Sequence, residues 1–103
     1  MNLFEAKSSL MNYMERYLNG EISLESIRDF AWSVIEWFSN DPKARLSVSC
    51  DFEKEVWYAI WEIQHLADEN HEEEGVTKRT LSEALDYLKN KSKIPENYEG
   101  RRP

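Results

Sequence analysis

A chain of 103 residues is long enough for one hydrophobic core without disulfides or metals, and too short for a second domain. Hydrophobic residues make up 41% and charged residues 32%, with only 3 Gly and 3 Pro, which excludes both a disordered chain and an all-β chain full of tight turns. The 20 acids against 13 bases leave a net charge of −7, so nucleic acid and anionic membrane surfaces are poor partners.

The first helix is expected over about Leu3 to Leu18, with Leu3, Leu10, Met14, Tyr17 and Leu18 at helical spacings. Asn19-Gly20 stops it, because both residues tolerate the left-handed conformation that ends a helix. Ser23 then caps a second helix, stapled by Ile22 and Ile27, that buries Leu24, Ile27, Ala31, Val34, Ile35 and Phe38 and ends at Asp41-Pro42. Pro42 to Ser49 reads as a loop. A third helix is expected from near Asp51 to about Asn70, with Phe52, Val56, Ala59, Ile60, Ile63, Leu66 and Ala67 inward. Glu72-Glu73-Glu74-Gly75 reads as an acidic turn, and Thr80-Leu81-Ser82-Glu83 as the capping box of a fourth helix that buries Leu81, Ala84, Leu85 and Leu88. The expected architecture is all-α: a single-domain antiparallel four-helix bundle over residues 1–92, followed by a tail over 93–103 pinned by Ile94 and Tyr98. Trp32, Trp37, Trp57 and Trp61 lie outside the main stripes, as on central helices touched by neighbours on several sides.

The lone Cys50 cannot form an internal disulfide, and no apolar run reaches transmembrane length. The segment MNLFEAKSSL lacks a basic stretch followed by an apolar one, so the expected location is the reducing cytoplasm.

The acidity is concentrated. Between Asp51 and Glu74 stand nine acids and one base, Lys54, so these 24 residues carry −8 while the other 79 sum to +1. Asp51, Glu55, Tyr58, Glu62, His65 and Glu69 follow one another at spacings of 4, 3, 4, 3 and 4, a continuous ridge beside the core stripe of the third helix. Like charges so placed destabilise a helix by roughly 0.2–0.5 kcal/mol each. Asp68, Glu72, Glu73 and Glu74 add negative charge at the helix end that the dipole already disfavours. A sequence shaped by stability alone would interleave bases. Carboxylates repeating at about 5–6 Å are spaced much like the phosphates of a nucleic-acid strand, so the ridge suits the basic groove of a nuclease. Tyr58 and His65 would stack on or hydrogen-bond the partner's arginines. The plainer reading is a solvated helix face. The pair Trp57 and Trp61 reads as core filling in preference to a ligand platform.

Enzyme readings find little support. His65 and His71 fall on different sides of a helix, and Cys50 lies too early for a familiar zinc spacing. Asp68, His71 and Glu72 would need the helix to end among them to meet at a metal. There is no nucleophile elbow and no phosphate-binding glycine loop, and Cys50 reads as a small core residue. No catalytic residue, cofactor or metal is expected.

Three phrases carry a resemblance: Tyr17-Leu18-Asn19-Gly20-Glu21-Ile22-Ser23, Trp57-Tyr58-Ala59-Ile60-Trp61-Glu62-Ile63, and Thr80-Leu81 opening the last helix. Together they resemble small helical bacterial immunity proteins of the colicin D immunity type, including partners of toxins delivered in contact-dependent growth inhibition. The resemblance spans the chain from its first helix to its fourth. It implies a non-catalytic four-helix protein that blocks the tRNA-cleaving site of a basic nuclease toxin domain. The partner-binding residues it implies are the ridge and the Asp68 to Glu74 turn: Asp51, Glu55, Tyr58, Glu62, His65, Asp68, Glu69, Glu72, Glu73 and Glu74. No direct contact with nucleic acid or membrane is expected. The alternative is a helical interaction module or adaptor that self-associates weakly through its Trp-rich faces.

Overall fold

The computed structural model describes residues 1–48, 50–68, 74–98 and 100–103, apart from the side chains of Ala67, Asp68 and Glu74. The chain is all-α: α1 (Leu3–Leu18), α2 (Leu24–Asn40), α3 (Pro42–Arg45), α4 (Glu53–Asp68) and α5 (Glu74–Leu88), with no strand among the described residues.

Local chemistry sets most boundaries. Asn2 Oδ1 accepts the Glu5 amide at 2.8 Å to open α1. At its other end Gly20, at φ +77°, lets its own amide reach Tyr17 O at 2.9 Å and the Glu21 amide reach Arg16 O at 2.8 Å, which satisfies two orphan carbonyls. Ser23 Oγ accepts the Ser26 amide at 3.2 Å and opens α2. Asp41 serves two helices: its amide donates to Trp37 O at 3.0 Å, while its carboxylate accepts the Lys43 amide at 2.9 Å. That cap, with Pro42 fixed at a helical φ in the first position, folds Pro42–Arg45 into a helical turn where a loop was expected.

Two further boundaries differ from expectation. Asp51 lies in a turn, and α4 begins two residues later at Glu53. The capping box Thr80–Glu83 sits inside α5, which begins at Glu74. Thr77, 2% exposed, extends the buried stripe to positions 77, 81, 84 and 88, so tertiary packing overrides the local start signal.

The four long helices close a ring: α1 against α2, α2 against α4, α4 against α5 and α5 against α1, with α1 also touching α4. Leu10, Met14, Ile27, Val34, Ile60, Ile63, Leu81 and Leu88 are fully enclosed, and the Trp57 indole meets the Phe38 ring edge-on at 4.9 Å. The expected core residues are buried or half-buried against this cluster, except Ala67, whose side chain lies outside the description, and Cys50, which is half-buried outside the cluster. Lys89 Nζ, 2.6 Å from Glu15 Oε1, ties the end of α5 to α1.

Candidate partner-binding surface

The segment read as a tail lies along α4. Tyr98 sets its ring edge-on to Tyr58 at 5.2 Å, the Trp61 indole donates to Arg101 O at 2.8 Å, and Arg102 reaches Glu53. Gly100, at φ +70°, crosses so close to α4 that a Cβ there would lie 2.6 Å from Lys54 Cγ. Trp61, Tyr98, Arg101, Arg102 and Pro103 bound a shallow groove of about 450 Å³ along this contact.

This packing divides the acidic ridge. Asp51 stands exposed in the turn before α4. Glu55 is half-buried, and its Oε2 is enclosed without a hydrogen-bond partner among the described residues. Tyr58 is half-buried between Tyr87 at 5.1 Å and Tyr98 at 5.2 Å, both edge-on. Both contacts hold its ring within the chain, on the flank expected to meet a partner. Burial first, then the Glu62 carboxylate with smaller contributions from Tyr87, Glu83 and Tyr98, pushes the Tyr58 phenol up to about 12. Burial and Glu62 also raise Tyr98. Glu62 is half-buried beside these phenols, and His65 is exposed. Of the remaining expected residues, Glu69, Glu72 and Glu73 lie outside the described residues, as does His71. Asp68 ends α4 and Glu74 opens α5, with their side chains outside the description. One side of α4 therefore brings together Glu55, Tyr58, Glu62 and His65, and solvent reaches it best beyond Glu62.

Sequence reasoning missed two features. Glu53, 3% exposed, is a buried carboxylate held by Arg102, a pairing between residues too far apart in the chain to read from local pattern. Trp32, expected to be touched by neighbours on several sides, is 53% exposed on the outer face of α2. Its signal was present: Glu25, Asp29 and Glu36 stand seven before, three before and four after Trp32, marking that helix face as polar.

Among the described residues no group of three or more His, Cys, Asp or Glu side chains could hold a metal ion, and no helix is long and apolar enough to cross a membrane. No family model, curated protein or solved structure matches this chain.

Proposed function

We propose that this chain is an immunity-type inhibitor, a non-catalytic protein that binds a basic nuclease domain and occludes its nucleic-acid cleft. One observation carries the reading: −8 is confined to the 24 residues from Asp51 to Glu74, on a chain otherwise near balance. Its described part includes exposed Asp51 in the turn before α4 and the α4 flank of half-buried Glu55, Tyr58 and Glu62 that ends at exposed His65. A basic cleft shaped to hold phosphates would be filled by such carboxylates, which steer association and exclude the substrate. The resemblance to the colicin D immunity type supports the same reading.

The alternative, a helical module or homodimer joined through Trp-rich faces, is less favoured at Trp57 and Trp61, since Trp57 is fully buried and Trp61 hydrogen-bonds its own chain. The test is whether a basic toxin domain is encoded beside this chain and whether the chain protects against it. Reversal of Glu62, Glu69 and Glu72 to Lys should slow association about tenfold or more and abolish protection at limiting protein. Unchanged protection by the reversed variant would overturn the assignment of the surface.

A further inference from the structure

Each of three tryptophans is engaged within the chain: Trp57 on Phe38, Trp37 edge-on to Phe38 at 6.0 Å, and Trp61 through its indole N–H. Trp32 has neither a ring contact nor a hydrogen bond among the described residues, and it stands 53% exposed. Glu25, Asp29, Trp32 and Glu36, at spacings of 4, 3 and 4, form one exposed ridge along α2. Arg28 Nη2 lies 3.4 Å from Glu25 Oε1 and 3.3 Å from Asp29 Oδ1, so one guanidinium is shared by two carboxylates. Glu36 has no ion pair among the described residues. Behind the ridge Gln64 Nε2 donates to Arg28 O at 3.3 Å, which fastens this stretch of α2 to α4. Arg28, Asp29, Trp32 and Gln64 together line a shallow groove.

We propose that this ridge, centred on Trp32, is a docking surface for an arginine side chain of a basic protein partner. The proposal rests on the reading that the chain binds a basic protein, and it adds an exposed aromatic anchor where Tyr58 on the α4 flank is half-buried. A guanidinium laid flat on the indole sits over its negative face, with Asp29 and Glu36 one turn to either side to accept its hydrogen bonds. Arginine suits the site better than lysine because its planar, weakly hydrated head stacks and forks at once. A second copy of this chain is a poor occupant, since its ridge would bring carboxylates against carboxylates. Exposed tryptophan ringed by charge is also the composition of an interface centre, where steering charges and an apolar anchor act together.

The test is a titration of the full chain with a hexaarginine peptide at low ionic strength, following the indole N–H signals by NMR. The Trp32 signal should shift saturably while that of buried Trp57 stays in place. Trp32→Ala should weaken binding about two- to fivefold, the range of an exposed cation–π contact, and Trp32→Phe should recover part of the loss. Hexalysine should bind more weakly and move Trp32 less. If hexaarginine binds while shifts stay confined to the Glu62–His65 flank of α4, the Trp32 proposal is overturned and the basic-partner reading stands. If no basic peptide binds even at low salt, both fail. If Trp32 shifts with protein concentration alone, a second copy is the occupant and the proposal is overturned.

Discussion

Arg102 grips Glu53 with two parallel hydrogen bonds, Nε to Oε2 at 2.6 Å and Nη2 to Oε1 at 3.0 Å, across 49 positions of chain. The same guanidinium donates to Arg45 O at 3.1 Å and Ser47 O at 3.0 Å, and lies over the Phe38 ring at 5.2 Å. One side chain thus joins the C-terminal segment, the stretch after α3, and the first turn of α4. The hydrogen bonds to Glu53 raise the guanidinium pKa above its ordinary value, so Arg102 stays charged. Arg102→Ala should cost roughly 1.5–3 kcal/mol, the range for hydrogen bonds to a charged group, because the buried Glu53 side chain loses both bonds from the guanidinium. Arg102→Lys should recover only part, since an ammonium cannot form the fork. Urea unfolding checks both, and Glu53→Gln combined with Arg102→Ala should cost less than the two single changes added together.

The two tryptophans Trp57 and Trp32 should separate cleanly in stability. Trp57 is fully enclosed against Phe38, so Trp57→Ala should destabilise by about 3–5 kcal/mol through lost burial and the cavity left behind. Trp32→Ala, on an exposed face, should stay within about 0.5 kcal/mol of the parent. Equal losses in thermal or urea unfolding would mean that Trp32 is packed.

What was legible in the sequence was local. Asn19-Gly20 and Ser23 mark boundaries through bonds made within three to five residues, and the apolar stripes of α1, α2 and α4 name the core directly. The start of α5 was not legible, because Thr80 and Glu83 carry a cap signal while buried Thr77, outside the apolar alphabet, continues the stripe. The candidate surface was legible as charge but not as exposure. Periodicity places Glu55 and Tyr58 on one ridge, yet only the fold reveals that Tyr98 and Tyr87 close over Tyr58. Arg102 on Glu53 belongs to the same class of long-range contact.

The early start of α5 has its own test at Gly75, an exposed position in the first turn where an added Cβ meets nothing within 4 Å. Alanine there restricts the unfolded chain and favours helix, so Gly75→Ala should stabilise by about 0.5 kcal/mol. That corresponds to a rise in Tm of roughly 2–4 °C for a domain of this size. If the helix instead began at the Thr80 cap, Gly75 would lie in a connection and the substitution would be neutral or destabilising.

Tyr58 links the covered flank of α4 to pH. Its phenol is raised from 10.0 to about 12 because burial, then Glu62, disfavour the phenolate in the folded chain. The folded state therefore holds this proton more tightly than the unfolded state does. The stability it contributes is fully present below about pH 10 and is lost as pH rises through about 12. Tyr58→Phe keeps the ring between Tyr87 and Tyr98 but has no proton to lose, so its stability should fall less over that window. The parent's phenolate absorbance should show a late step near 12 that the variant lacks. Tyr98 is raised by the same two causes, so Tyr58→Phe with Tyr98→Phe should flatten the alkaline loss further. An identical alkaline profile in the parent and in Tyr58→Phe would mean that the C-terminal segment does not bury Tyr58 in solution, and the flank from Glu55 to His65 would then be open along its whole length.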